Sequence, residues 1–308
     1  MPPLLRRLLR PLLDPYRRYR HARVIHAVRV SLGLLATILL TTGIHLPHGE
    51  WASVTMLVVI GGLQHHGNIG KKAAERAIGK GGYTALLSAI TVFIVAGHGD
   101  NPITDGLWRG VDILIGIALA LAFSFALPLY AVYSWRYNLA DALRDCAKVY
   151  GRIIDGQAIT ADEHLKLMTR LNAAMVQLRS LMPSVSKEVK ISMTELDAIQ
   201  RNLRMCVSTL EILGNTRPDA NDPEAMTLLQ TALKAEHRQI RVQLIGMARA
   251  LKSGATQRLD RPMEVPLVSL DAPVYNRLDG YRLLTRQLAA NIGEMRQRLA
   301  RSAPHWNI

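Results

Sequence analysis

The chain is short of the residues on which several common chemistries depend. It has two cysteines in 308 residues, Cys146 and Cys206, far apart and in no metal-ligand spacing. That excludes a disulfide framework and a thiolate metal site. His65-His66 is the one histidine pair, and neighbours on a single turn do not complete a metal site without further ligands. His26, His45 and His48 lie on other segments, so no metal is expected. Gly79-x-Gly81 follows no strand and precedes no Gly-Lys-Ser/Thr, so it is not a phosphate loop. Neither a Ser/His/Asp nor a Cys/His arrangement is present. The chain reads as non-enzymatic, with no cofactor. Strand-type alternation and internal repeats are absent too.

Acidic residues are also scarce, 24 against 38 Lys and Arg, for a net charge of +14. In a soluble protein that excess would point to nucleic acid. No groove-reading motif accompanies it, and much of the charge flanks apolar runs, as the positive-inside rule requires. Nucleic acid is therefore not an expected partner, and a lipid bilayer is. The 49% of hydrophobic residues concentrate between Val24 and Tyr133. Three segments follow: a basic N-terminal stretch 1–23, a transmembrane domain 24–135, and a cytoplasmic helical domain 136–308. The expected fold is all-α, a polytopic membrane bundle followed by an antiparallel helical bundle.

In the first stretch Leu4, Leu5, Leu8, Leu9, Leu12 and Leu13 recur at helical spacing among Arg6, Arg7 and Arg10. It is either an amphipathic segment lying on an anionic leaflet or a solvated basic tail. The longer apolar run starts only after Arg23 with no cleavage site behind it, so this is not a signal peptide.

About four spans are expected, at 24–46, 51–64, 83–96 and 107–133, the last closing on Trp135 and Arg136 as an aromatic and cationic border. Loops at 45–50 and 97–106 lack Lys and Arg and are assigned outside. Both termini are then cytoplasmic, in a bacterial inner membrane. The second and third spans are shorter than the about 20 residues a bilayer core needs. Either they are broken helices bordering a pathway, with Gly61-Gly62 and Gly81-Gly82 at their ends, or the bilayer thins around them.

Beyond Arg136 the apolar residues form stripes at three and four: 165–182, 196–213, 226–251 interrupted at Glu236, and 278–299. Each is an amphipathic helix face that has to be buried on another. Breaks are expected at Gly156, Pro183, 215–223 and 253–273.

Charged residues inside the spans are the candidate site. Arg29 either snorkels to the inner interface or attracts anions at the inner mouth. Arg109 and Asp112, three apart, form either a structural pair or a gate in which Asp112 titrates. Lys71, Lys72 and Arg76 add a cationic cluster at the inner end of the second span. Glu75 and Arg76 point to different sides of a helix, one of them pairing structurally.

The order Trp51-x-x-x-Thr55, apolar run, Gly-rich turn, Lys71-Lys72, then Glu75-Arg76-x-x-Gly79 resembles the FUSC family, the fusaric acid resistance-like membrane proteins. Arg29 and Trp108-Arg109-x-x-Asp112-x-x-x-Gly116 fit the same pattern. The resemblance covers roughly the first half of the chain. It implies proton-coupled efflux of small aromatic or amphipathic organic acids. The substrate pathway would then be Arg29, Trp51, Thr55, Lys71, Lys72 and Arg76. Arg109 and Asp112 would form the outer gate, and Glu75, Gly79 and Gly116 the structural motif. The family's middle hairpin is missing here, since Gly79 runs directly into what resembles a later span. A transport-inactive scaffold or regulatory subunit, working through the cytoplasmic bundle, is the other reading. Small residues at Gly61, Gly62, Ala85, Ser88 and Ala89 predict a homo-oligomer, a dimer by the commonest symmetry. An exporter of this kind would also engage a periplasmic adaptor protein.

Overall fold

A computed structural model describes residues 15–61, 103–126, 128–155, 161–215, 227, 231, 233–259 and 272–306. The regular elements among them are helical. They are α1 (Pro15–Arg20), α2 (Ala22–Gly43), α3 (Glu50–Ile60), α4 (Ile103–Ala126), α5 (Ala131–Ile154), α6 (Ala161–Glu188), α7 (Met193–Asn215), α8 (Lys234–Ser253) and α9 (Ala272–Ser302), with short 3₁₀ turns at Thr256–Arg258 and Ala303–His305. Lys71, Lys72, Glu75, Arg76, Gly79, the leucines and arginines of 4–13, the run 83–96 and Gly62, Ala85, Ser88 and Ala89 lie outside the described residues. The chain divides into two compact units, 1–131 and 132–308.

In the N-terminal unit α2 and α4 are long and apolar enough to cross a membrane by length and composition. Their 22 and 24 residues correspond to about 33 and 36 Å at the helical rise. α3 has 11 residues, about 16 Å, and stops where Gly61 takes a φ of 51°. Glycine adopts that conformation without a Cβ penalty. The expected second span thus ends as a helix at Ile60 rather than at 64. The fourth ends at Ala126, and residues 128–130 are non-helical, as the φ-locked Pro128 favours.

The unit is packed inside out relative to a water-soluble domain. Leu39 and Leu114 are 64% and 66% exposed, along with Val24, Leu35, Leu107 and Phe125, whereas Arg29 and Asp112 are 1% and 0% exposed. The buried rows run at strict four-residue spacing. They are Arg29, Gly33, Thr37 and Thr41 on α2, Ala52, Met56 and Ile60 on α3, and Asp112, Gly116, Ala120 and Ser124 on α4. Small residues let helix backbones approach where lipid removes any hydrophobic drive to associate. A Cβ on Gly33 would collide with Met56 and lie 3.3 Å from Phe123. On Gly116 it would collide with the Ala52 carbonyl oxygen and lie 2.9 Å from the Thr55 Cβ. Thr37 and Thr41 donate to the Gly33 and Thr37 carbonyls at 2.8 and 3.0 Å, satisfying their hydroxyls within α2.

The obstacle at Gly116 is backbone, which cannot swing aside. Gly116→Ala is expected to separate α4 from α3 and lower stability by about 1–3 kcal/mol. Gly110→Ala, with nothing within 4 Å of the new Cβ, should be silent. Thermal midpoints of the two variants in one mild detergent check this.

The C-terminal unit has a conventional apolar core. In it α7 packs on α6 and α9, and α8 packs on α9. Leu196, Ile199, Leu203, Cys206, Leu210 and Leu213 are all buried on α7, and Leu233, Ile240, Leu244, Met247 and Leu251 line α8 and its entry. Three details differ from the stripe pattern. Leu165 is exposed; it sits in the first turns of α6. Pro183 lies inside α6 rather than ending it, with Leu181, Met182 and Val185 buried around it, so packing outweighs the missing N–H. Glu236, the expected interruption, is 1% exposed and inside the core.

Trp135 and Arg136 do not form an interfacial border. Both are buried in this unit. Arg136 donates from Nε and Nη2 to the Leu251 carbonyl at 3.2 and 2.9 Å, and from Nη1 to the Trp306 carbonyl at 3.0 Å. Its guanidinium lies 5.4 Å from the Trp306 ring centroid and 5.9 Å from those of Tyr133 and Tyr137. A buried cation needs such partners, and the last carbonyls of α8 supply them at the negative end of that helix. In the first turn of α5, the Glu188 carboxylate accepts from the Val132 N–H at 3.0 Å.

Candidate functional site

The interior of the N-terminal unit carries ionisable groups at both ends of the α2–α3 hairpin. At one end, Arg29 Nη2 lies 2.8 Å from His26 Nδ1, and His26 Nε2 lies 3.0 Å from the Gly61 carbonyl oxygen. With the guanidinium donating to Nδ1, the ring proton sits on Nε2 and reaches the carbonyl that closes α3. A cation at a helix C-terminus is favourably placed. Arg29 is therefore held by protein contacts in the interior of this unit.

At the other end α2 passes into α3 through a loop with His45 and His48 in the left-handed region, at φ 52° and 60°. Gly49 fits there because a Cβ would come 2.7 Å from the Thr41 Cβ. His48 sits between two carboxylates, Nδ1 3.8 Å from Glu50 Oε1 and Nε2 4.0 Å from Asp105 Oδ2. Asp112, one turn before Gly116 on the inward row of α4, is fully buried. Neither of its oxygens accepts a hydrogen bond among the described residues.

Arg109 and Asp112 do not form the expected pair. Residues three apart differ by about 60° around a helix. Asp112 takes the inward direction, which leaves Arg109 half-buried at the helix edge, with its interactions elsewhere. Trp51 is half-buried in the first turn of α3, and Thr55 packs against Gly116. The structure thus brings Thr55, Gly116 and Asp112 together and sets Arg29 at the opposite end.

His26, His48, Glu50 and Asp105 are the neighbours that sequence reasoning passed over. His26 stands one turn before Arg29, and a histidine–glutamate loop facing an acidic helix start is a visible signal for the rest.

Three features of the C-terminal unit complete the inventory. Burial pushes both thiols up, Cys206 to about 12, so neither is a thiolate at neutral pH. Tyr150 Oη lies 2.7 Å from His237 Nδ1, and the His237 ring packs edge-on to both Tyr150 and Tyr281. A surface cavity of about 300 Å³ holds Lys190, Arg301 and His305 around Glu195. Glu195 is already engaged by Arg298 at 3.0 Å. Among the described residues no group of three or more His, Cys, Asp and Glu could hold a metal ion.

Spanning-length helices, outward leucines and inward small and ionisable residues define an all-α membrane protein that also carries a separate, conventionally packed helical bundle. Over 286 residues the chain is 27% identical to the inner membrane protein YeeA of Escherichia coli (strain K12), covering 80% of this chain and 81% of that one. No protein-family model matches the chain. No solved structure matches it.

Proposed function

We propose that this is a multi-pass inner-membrane protein of the FUSC type that exports small aromatic or amphipathic organic acids in exchange for protons. One observation carries the reading: two ionisable side chains, Arg29 and Asp112, are buried at opposite ends of a membrane-type helix bundle. Charge inside a membrane protein is costly and is characteristic of ion and substrate paths. The likeness to an inner membrane protein supports the compartment. In this reading the termini are cytoplasmic and Arg29, with Lys71, Lys72 and Arg76, draws anions to the inner mouth. Asp112 carries protons near the outer end. A homodimer and a periplasmic adaptor complete the path.

The test is uptake of a panel of aromatic carboxylic acids into inside-out vesicles energised by a proton gradient. Wild type should accumulate them, a protonophore should abolish accumulation, and Arg29→Ala should reduce it about tenfold or more, as loss of a charge-paired substrate contact would. Equal accumulation in Arg29→Ala and wild type rejects the role of Arg29. No gradient-driven accumulation of any acid rejects export and leaves the scaffold reading, in which the C-terminal bundle is the working part.

A further inference from the structure

We propose that the outer face of α8 is a docking surface for the headgroups of anionic phospholipids. Every charge that this helix exposes is positive. Lys234, Arg238, Arg241 and Arg249 are exposed, and they fall within about 80° of one another around the helix at about 3.6 residues per turn. Glu236, the acid of α8, is buried, and Lys252 at its end is held by Asp141 at 2.7 Å. Among the described residues the four exposed cations meet no carboxylate. Neighbouring helices are balanced by contrast. α7 exposes Asp197 and Glu211 beside Arg201 and Arg204, while Lys166 and Arg170 of α6 pair with Asp162 and Asp145. Since α8 flanks no apolar run, the charge rule for membrane spans does not account for its stripe.

Lipid suits this face better than nucleic acid does. α8 has no Phe, Tyr or Trp on which a base could stack. Its stripe instead takes in Val242, exposed, and Ile245, half-buried, apolar side chains of the kind that settle at the boundary of headgroups and acyl chains. The chain also supplies proximity. Residues 127–130 join α4 to α5 and reach about 18 Å at most, and α4 is long and apolar enough to cross a bilayer. The bundle is thereby tethered to whatever surface borders that helix. Arg136, near the start of α5, donates to the Leu251 carbonyl near the end of α8. A bundle lying on α8 therefore keeps the start of α5 about one helix diameter, about 10 Å, from the headgroups, which is inside the reach of the tether. A surface held so close is met at millimolar effective concentration. Each cation beside an anionic leaflet then strengthens docking about fivefold. The docking is independent of export, since it would serve a transporter and a scaffold alike.

The test uses the full chain carrying Val242→Cys, labelled with a nitroxide; Cys146 and Cys206 are buried and out of the reagent's way. The protein is reconstituted in vesicles of phosphatidylcholine alone or with one third phosphatidylglycerol. Access of a neutral, water-soluble nickel chelate to the label reads the docked fraction. Phosphatidylglycerol should shield the label, and about 1 M salt, where the screening length is about 3 Å, should expose it again. Replacing Arg238, Arg241 and Arg249 together by Gln should lower the ratio of docked to undocked protein on the order of a hundredfold, to its level in phosphatidylcholine. Arg201→Gln with Arg204→Gln on α7 should leave the shielding as it was. Equal access in the two lipids would overturn the proposal without recourse to any variant of the stripe. So would shielding that survives the triple change, or that the α7 pair removes as fully, since net charge alone would then explain it. Shielding by single-stranded polyuridylate in phosphatidylcholine vesicles, with none from phosphatidylglycerol, would assign the face to nucleic acid and reject lipid.

Discussion

Arg136→Met is expected to be the most damaging single change in the C-terminal unit, lowering its stability by about 3–5 kcal/mol. Methionine fills much of the volume but donates nothing to the Leu251 and Trp306 carbonyls, which now receive three hydrogen bonds from this side chain. Two buried acceptors would be left open, and the guanidinium between Trp306, Tyr133 and Tyr137 would be lost. Arg298→Met is the control, because its pairs with Glu195 and Glu294 are partly exposed and are expected to contribute about 0–1 kcal/mol. Both cysteines of the chain are buried in this unit, so the rate at which a thiol reagent reaches them reports its opening without interference from the membrane helices. Labelling of Arg136→Met no faster than that of Arg298→Met would contradict the assignment.

The second large effect is on pH dependence. Desolvation holds His237 at about 4 rather than 6.5, so the folded unit keeps the ring neutral while the unfolded chain protonates it. Between those values the unfolded state binds the extra proton, and stability therefore falls as pH falls. The loss begins near pH 6.5 and is complete below about 4, amounting to about 3 kcal/mol. His237→Gln can still accept from Tyr150 but has nothing to titrate. Its stability should be flatter across the same window, as measured by urea unfolding with a pyridyl disulfide probe that reacts in acid. Parallel profiles for the two proteins would place the acid sensitivity elsewhere.

Much of this architecture was legible in the sequence, and the failures have a common physical origin. Stripes at three and four gave the buried faces of α7, α8 and α9 because hydrophobic burial there follows helical period. Glu236 broke the pattern on paper only, since a core can take in a carboxylate that periodicity treats as a solvent residue. Arg136 was misplaced for the same reason. It lies three residues before buried Leu139 on one helix face, yet a cation beside Trp135 at the end of an apolar run also has the composition of a membrane border. The all-α class and the inward placement of Arg29 and Asp112 were within reach. Their partners were not, because His26 meets Gly61 and His48 meets Asp105 only through folding. The adaptor and the substrate class follow from the resemblance, and the dimer from small residues that, Gly61 apart, lie outside the described ones.

The four-residue rows of the N-terminal unit have a consequence for how the chain is made. A domain that hides its leucines acquires its elements and its core together, since each helix alone would be insoluble. Here the leucines face outward, so α2 and α4 are each acceptable to lipid before they have met any neighbour. Insertion can come first, one helix at a time, and recognition between helices later. What is recognised at that second stage is the fit of Gly33 against the Met56 and Phe123 side chains and of Gly116 against the Ala52 backbone, together with the need of Arg29 and Asp112 to leave lipid. The sequence thus separates two instructions, with the large side chains specifying residence in the bilayer and the small and charged ones specifying which helix is next to which.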